Sequence, residues 1–370
     1  MKKKILFLAL IVILTTGFIV PGAVQAQSGP TVSLNSAETN FPTSLTFNIS
    51  ARSDVNITDI RLHYSVDRMK FAEVIAEGNT GFAPAKQVAT QYVMDMRQTG
   101  GMPPGSSLTY WWTVIDANGN ETETLPQQVE IQDRRYNWQS IKEGLITLYW
   151  YKGNSAFANE LMDATQQALV TLADNSGAAL ENPISMYIYA SAADLQGSMI
   201  YAQDWTGGVA YTEYGIIAIG IGTSSSDLAW GKKTISHELS HLVVHQVTFN
   251  PYNQLPPWLD EGLAMNSEGE LDLEFTAALT TAEQNHTLIS VRSLSSPFSA
   301  YTDQALLAYA ESYSIVKYLI NEYGREKMYE MLASYKEGIS YDGALKAVYG
   351  FDMEGLNILW QAAGEIALAR

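Results

Sequence analysis

The chain contains no cysteine among its 370 residues. Disulfide bonds, thiol nucleophiles and thiolate zinc sites are therefore excluded, as is a lipoprotein anchor, which needs a cysteine at its cleavage site. A folded chain of this length can rely on its hydrophobic core instead of disulfides. If the protein binds a metal, histidines and carboxylates are the ligands that remain.

Long apolar runs are also missing, except at the N-terminus. There, three lysines precede the apolar stretch Ile5–Val20, and small residues stand at positions −3 and −1 of a cut after Ala26. The stretch has 16 residues, whereas a membrane-spanning helix needs about 20. We therefore expect residues 1–26 to be the signal peptide of a secreted bacterial protein, with an uncleaved anchor as the alternative. After cleavage, no stable membrane insertion is expected.

Basic residues are scarce: 22 Lys and Arg stand against 39 Asp and Glu, for a formal net charge of −17. Such a chain repels nucleic acid and anionic membranes, so neither is expected as a partner. The acidic excess indicates either ordinary surface solubility or a face that selects basic substrates.

The region from residue 31 to 133 alternates short β-rich runs with turn residues. Examples of such runs are Leu45–Ile49, Ile60–Tyr64 and Thr109–Ile115. Regularly spaced strands without a helical period predict an all-β sandwich domain. The segment Pro103–Asn120 resembles the penultimate hairpin of fibronectin type III and immunoglobulin-like modules, which implies a module of that kind.

After residue 135 the pattern changes, and a second domain is predicted at 136–370. Its first half carries three predicted strands, at Ile141–Trp150, Ile184–Tyr189 and Gly215–Ile221, and a helix at Ala156–Leu172. The remainder is helical, with starts marked near Pro256, Asp303, Arg325, Tyr341 and Asp352. Strands followed by helices predict an α+β domain with a mostly helical C-terminal half.

Residues 237–241 read His-Glu-Leu-Ser-His within a predicted helix. Positions i and i+4 of a helix differ by about 40° and 6 Å, so His237 and His241 project from one face. Two imidazoles placed in this way can bind one zinc ion. Glu238 stands beside them as a candidate general base that takes a proton from the attacking water.

A third metal ligand is expected in the segment Pro256–Ala264. Glu261, near the start of a second helix, would complete a site of two histidines and one glutamate. His245 lies about 12 Å along the helix from His237, too far to share the ion. Asp260 points away from Glu261 and is expected to cap the helix or support a ligand histidine.

The paired segments 237–241 and 258–264 resemble those of the gluzincins. The string Trp258-Leu-Asp-Glu-Gly-Leu-Ala264 is similar to the equivalent segment of aminopeptidase-N-like enzymes, and more so to that of the peptidase MA-like families. The resemblance covers roughly residues 136–370. It implies a thermolysin-like zinc peptidase domain with the HExxH…E ligand set.

The same resemblance implies a tyrosine that donates to the transition-state oxyanion. In aminopeptidase-N-like enzymes this tyrosine is followed by glycine at +3, an apolar pair and a basic residue at +8. Tyr309 fits, with Ser312 in place of the glycine and Lys317 at +8. Tyr313, one helical turn later, is the alternative.

Gly208 and Ala210 are candidate substrate-binding residues. They precede a β-run and are expected to form an edge strand that pairs with an extended peptide. Aminopeptidase-N-like enzymes carry Gly-Ala-Met-Glu-Asn here, and its glutamate holds the substrate's amino terminus. In this chain Glu213 comes two residues late, a departure that argues against aminopeptidase specificity.

Together these features predict a secreted, zinc-dependent metallopeptidase that hydrolyses peptides or proteins. A different class remains open: an extracellular binding or adhesion protein whose peptidase domain is vestigial. Zinc-dependent hydrolysis of a non-peptide substrate is a third reading. The sequence does not indicate an oligomeric state.

Overall fold

A computed structural model describes residues 29–70, 72–252 and 254–368. The predicted signal peptide, 1–26, lies outside the described residues. Seven strands form the N-terminal sheet: β1 (Thr31–Asn40), β2 (Ser44–Asp67), β3 (Ala76–Asn79), β4 (Ala85–Asp95), β5 (Ser107–Asp116), β6 (Glu121–Glu123) and β7 (Gln127–Glu130).

The long strand β2 organises this β-rich region. Its first half pairs with β1 and β4, and its second half pairs with β3 and β5, with register shifts between Arg52 and Asp59. The runs predicted at Leu45–Ile49 and Ile60–Tyr64 are therefore two parts of one strand. Alternate side chains, among them Phe47, point into a separate hydrophobic core.

The second sheet contains five strands: β8 (Gln139–Glu143), β9 (Ile146–Trp150), β10 (Ile184–Tyr189), β11 (Gly208–Tyr211) and β12 (Ile216–Gly220). The strand order is β11-β12-β10-β9-β8, with β9, β10 and β12 parallel and the two outer strands antiparallel. The single strand predicted at Ile141–Trp150 is a hairpin, because Gly144 adopts φ 57° between β8 and β9.

Eight helices accompany this sheet in the described ranges: α1 (Ser155–Ser176), α2 (Ala192–Gln196), α3 (Ser225–Thr248), α4 (Pro257–Ser267), α5 (Leu273–Gln284), α6 (Thr302–Lys336), α7 (Tyr341–Tyr349) and α8 (Met353–Leu368). α6 is interrupted at Gly324, whose φ of 82° is not helical, and the predicted start at Arg325 falls there. Among the described residues, no helix combines the length and the apolar character needed to cross a membrane.

The two faces of the second sheet are covered differently. On β10, Met186 and Ile188 point into the core formed with the helices, whereas Tyr187 and Tyr189 point into an aromatic cluster on the opposite face. This alternation is the period of two expected of a strand. The larger core lies between sheet and helices, and the helices that carry the candidate site pack there.

The junction between the two predicted domains passes through buried contacts. Asp133 is 2% exposed, and its carboxylate accepts hydrogen bonds from Tyr189 and Arg135. Its carbonyl accepts one from Trp138. Asp133, the last residue of the predicted first domain, thus contacts the second sheet.

Candidate metal centre

The motif residues lie on α3, which starts with a complete capping box. The Ser224 hydroxyl accepts from the Asp227 amide, and the Asp227 carboxylate accepts from the Ser224 amide. These two bonds satisfy amides that the first helical turn leaves unpaired. The apolar side of α3 packs in the core, so His237 and His241 face α4 from the other side.

Glu261 lies on α4, which packs closely against α6. A Cβ at Gly262 would lie 2.4 Å from the Ser312 carbonyl oxygen and 2.5 Å from a Val316 methyl group, so only glycine permits this approach. Asn266 adds hydrogen bonds to the carbonyls of Gly262 and Tyr313. The glycine after Glu261 therefore sets the distance at which the glutamate faces α3.

The structure brings His237, His241 and Glu261 together. One ligand atom from each lies within 4.8 Å of the other two. Oε2 of Glu261 is 3.4 Å from Nε2 of His237 and 3.6 Å from Nε2 of His241. This oxygen is buried and has no hydrogen-bond partner, although an unpaired buried carboxylate oxygen costs folding free energy.

The second nitrogen of each histidine is held by a carboxylate. Nδ1 of His237 lies 2.7 Å from Glu268, and Nδ1 of His241 lies 3.0 Å from Asp260. The other oxygen of Asp260 lies 3.0 Å from Nε2 of His245. His245 therefore contacts Asp260, but it does not belong to the group of possible metal ligands.

Sequence reasoning anticipated Asp260 as a supporting residue and missed Glu268. A signal for Glu268 was present, because it follows Glu261 by seven residues, which is two helical turns and the same helix face. Ser267 fixes this end of α4 against α3 through a hydrogen bond to the Ser236 carbonyl. The short helix thereby presents Asp260 and Glu261 to α3, and the residue that follows it, Glu268, faces α3 as well.

The carboxylates dominate the electrostatics of the histidines. Burial lowers the pKa of His237, but Glu261 and Glu268 outweigh it and raise the pKa to about 10. Burial likewise lowers the pKa of His241, and Asp260 and Glu261 raise it to about 9. The site without metal therefore attracts positive charge strongly, whether protons or a cation.

Glu238 belongs to α3, and its side chain points toward the edge strand β11. A Cβ at Gly208 would lie 2.8 Å from its Oε1, so a larger residue there would displace the carboxylate. Burial raises the pKa of Glu238, while the charges of His241 and His237 and the Ala210 backbone amide lower it. Glu238 faces the converging residues without being one of them.

The edge strand directs its free backbone groups toward the site. The Gly207 carbonyl accepts from the Gly220 amide, so by alternation the groups of Gly208 and Ala210 point away from β12. The Ala210 amide is engaged by Glu238. Glu213 forms an ion pair with Arg68 at 2.8 Å.

Tyr309 and Tyr313 have different surroundings. The Tyr313 hydroxyl is 2.7 Å from Nζ of Lys317 and 3.4 Å from Glu270, away from the metal centre. Burial raises the pKa of Tyr309, and Glu261 and Glu238 raise it further through their charges. In the described part of the chain, no hydrogen bond engages the Tyr309 hydroxyl. The structure therefore places Tyr309, and not Tyr313, beside the site.

These residues fit a zinc ion. Two imidazole nitrogens and one carboxylate oxygen are the donor set of many catalytic zinc sites, and the unpaired Oε2 of Glu261 is the acceptor that a cation would satisfy. The opposite nitrogens of both histidines are already held by carboxylates, which is the usual support of a metal-bound imidazole.

The chain belongs to the peptidase MA superfamily: a family model of that superfamily matches residues 164–365. The match covers more than half of the chain and includes all of α3, α4 and α6. No curated protein in the comparison matches the chain.

Several solved structures are similar over parts of the chain. An M1 zinc metallopeptidase from Deinococcus radiodurans is 15% identical over 90% of this chain and 94% of its own, with a TM-score of 0.36. OgpA from Akkermansia muciniphila, bound to an O-glycopeptide, is 10% identical over 29% of each chain, with a TM-score of 0.22. A family 56 carbohydrate-binding module that binds β-1,3-glucan is 17% identical over 28% of this chain, with a TM-score of 0.17. TM-scores this low establish no shared activity, so the assignment rests on the family model.

Proposed function

We propose that the chain is a secreted zinc metallopeptidase with His237, His241 and Glu261 as the metal ligands. The observation that carries the proposal is the buried, unpaired oxygen of Glu261, which faces the free nitrogens of both histidines. Membership of the peptidase MA superfamily supports peptide or protein as the substrate. No nucleic acid is proposed as a partner.

The chemistry divides between the metal and the side chains. Zinc, when bound, polarises the scissile carbonyl and lowers the pKa of a water ligand. Glu238 takes the proton of the attacking water and passes it to the leaving amine. Tyr309 donates its hydroxyl hydrogen to the oxyanion that develops on the carbonyl oxygen. Asp260 and Glu268 keep the imidazoles oriented.

Substrate binding is assigned to the free edge of β11. An extended peptide would pair with the outward backbone groups of Gly208 and Ala210. For this pairing, the Ala210 amide exchanges its contact with Glu238 for one with the peptide. Because Glu213 is paired with Arg68, we assign it no role in holding an amino terminus, which favours cleavage within a chain.

The finer features of the fold belong to the same proposal. Residues 136–370 would form a gluzincin-type, thermolysin-like domain, and 31–133 a fibronectin type III or immunoglobulin-like sandwich. Residues 1–26 would direct secretion. The alternative is an extracellular binding or adhesion protein with a vestigial peptidase domain, and the close grouping of His237, His241 and Glu261 argues against it.

The experiment is peptide hydrolysis by the purified protein and by Glu238→Gln. We expect the variant to keep its zinc and its melting temperature but to lose hydrolysis by about 10²–10⁴-fold, the usual contribution of a general base. Glu160→Gln is the matched control, since Glu160 lies on the surface in an ion pair with Lys232. Turnover by Glu238→Gln at the wild-type rate would refute the mechanism.

A further inference from the structure

A large pocket opens directly beside the metal centre. Its volume is about 730 Å³, and Glu261 and Tyr309 form part of its wall. This size lies within the range of ligand pockets, about 300–1,000 Å³. The pocket is therefore continuous with the place where the proposed reaction occurs, and a group bound in it would lie next to the scissile bond.

The rest of the wall is largely apolar and comes from three segments. Phe275 belongs to α5, Phe298 to the loop before α6, and Leu306 to the first turns of α6. The ring of Phe298 meets that of Tyr309 edge-on, with centroids 5.2 Å apart. Leu306 and Tyr309 are three residues apart on one helix and so share a face.

An exposed indole stands at the same pocket. Trp205 lines it, yet the residue is 75% exposed. An aromatic side chain of this size is usually buried, because its apolar area is large. Its exposed indole is therefore available for contact with a ligand that enters the pocket.

Acidic and basic side chains are scarce in the pocket wall. Among the described residues that line it, Glu261 is the one with an acidic or basic side chain, and it belongs to the group of possible metal ligands. A charged substrate side chain entering the pocket would lose its hydration without gaining an ionic partner, which is costly. An apolar side chain would gain contact with the aromatic walls.

We propose that this pocket receives a large apolar side chain, aromatic or branched aliphatic, of the peptide residue next to the scissile bond. The inference rests on the proposed peptidase function and names its substrate class. The pocket, and not the net acidic charge of the chain, determines the preference at this position. Peptides with basic or acidic side chains there are poor substrates.

The test uses the full-length protein and a peptide series in which the residues flanking the scissile bond are varied among Phe, Leu, Ala, Lys and Asp. At one flanking position, Phe and Leu peptides should exceed the Ala peptide by about 10–200-fold in kcat/KM, the range of discrimination by apolar pockets. Lys and Asp peptides should be the slowest.

Leu306→Glu tests the pocket itself. A carboxylate in this wall should attract a basic side chain, so the kcat/KM ratio of the Lys peptide to the Phe peptide should rise roughly tenfold or more. Phe298→Ala is the second variant and should lower kcat/KM for Phe peptides more than for Ala peptides. The control is Leu125→Glu, which adds the same charge at an exposed position of the N-terminal region and should leave every ratio unchanged.

Binding to Glu238→Gln, measured by calorimetry with uncleaved peptides, separates this inference from the proposed function. If no peptide is cleaved but Phe peptides still bind best, the peptidase function fails and the pocket assignment stands. If peptides are cleaved without preference at either flanking position, the pocket assignment is overturned and the peptidase function stands. Unchanged ratios in both Leu306→Glu and Phe298→Ala would also overturn it.

Discussion

Two carboxylates, one in each half of the molecule, have buried oxygen atoms that differ in their hydrogen bonding. Asp116 in the N-terminal β-region is 2% exposed and accepts hydrogen bonds from the Ser53 hydroxyl, the Asn118 amide, and both the backbone and side chain of Asn120. Glu261 in the helical half has a buried oxygen without any hydrogen-bond partner. Asp116 is satisfied by donors from its own turn and from Ser53, whereas the buried oxygen of Glu261 faces the Nε2 atoms of His237 and His241.

The hydrogen-bond partners of a buried carboxylate distinguish a structural polar residue, such as Asp116, from a candidate functional one, such as Glu261. A folded protein leaves a buried carboxylate oxygen unpaired only where something else offsets the cost. In the N-terminal region the donors to Asp116 are Ser53, Asn118 and Asn120 of the same chain. Around Glu261 the neighbouring nitrogens face it at distances that leave room for an ion, so a metal is the expected partner.

The largest expected effect is a loss of kcat in Tyr309→Phe. Tyr309→Phe removes a donor that acts chiefly in the transition state, so kcat should fall by about 10²–10³-fold with KM little changed. Zinc content and melting temperature should remain, because the ring keeps its contact with Phe298. Steady-state kinetics of the purified variant measure this.

Tyr313→Phe is the matched control for Tyr309→Phe. Its hydroxyl contacts Lys317 and Glu270, so its loss should affect stability more than kcat. A large loss of kcat in Tyr313→Phe, with Tyr309→Phe fully active, would reverse the assignment.

A smaller effect, on zinc affinity, is expected when Asp260 is replaced. Asp260→Asn should weaken zinc binding by about 10–100-fold, as is usual when the carboxylate that orients a metal-bound imidazole is replaced. His245→Ala should weaken it less, and His245→Gln should restore part of the loss because the amide can still donate to Asp260. Competition with a chelator of known affinity measures all three. Wild-type affinity in Asp260→Asn would show that the contact with His241 has no effect on the metal.

Replacing the satisfied carboxylate should change stability alone. Asp116→Ala leaves the donors of Asn118, Asn120 and Ser53 without their acceptor, so the melting temperature should fall. Zinc content and kcat should be those of the wild type, since Asp116 lies in the other half of the chain. Calorimetry with metal analysis provides the check, and a loss of zinc would abolish the distinction between the two regions.

Glu311 is an intermediate case, buried in the helical half with the Ile289 amide as its hydrogen-bond donor. Burial raises its pKa from 4.5 to about 8. Because the folded pKa is above the unfolded one, the stability that this group contributes is complete below about pH 4.5 and is lost as the pH rises through 8. Glu311→Gln should therefore flatten the decline in melting temperature between pH 5 and 9. An unchanged pH dependence would contradict the burial argument.

The sequence predicted the elements whose signals are local. The spacing of His237 and His241 predicted that both lie on one helix face, and the segment around Glu261 predicted a second helix. The start at Arg325 was also found, because Gly324 interrupts the helix. In the N-terminal region the strands predicted at Leu45–Ile49 and Ile60–Tyr64 are present. That both belong to the single strand β2 was not predicted, because a register shift leaves no local pattern in the sequence.

What the sequence could not predict depends on contacts between distant segments. The pairing of Glu268 with His237 and of Asp260 with His245 requires the crossing of α3 and α4. The apolar pocket also requires α5, whose start was not among the predicted helix starts and of which only Ala282 is buried. The choice between Tyr309 and Tyr313 came from a resemblance, and only the surroundings of each hydroxyl distinguish them.

The most direct test of the account is the metal content of the purified protein. We predict about one zinc per chain in the wild type and in Asp116→Ala, loss of zinc in His237→Ala and His241→Ala, and strongly weakened binding in Glu261→Ala. Elemental analysis after dialysis against a weak chelator measures this. A wild-type protein without affinity for zinc, or a Glu261→Ala variant that retains zinc in full, would contradict the assignment of the unpaired oxygen as a ligand.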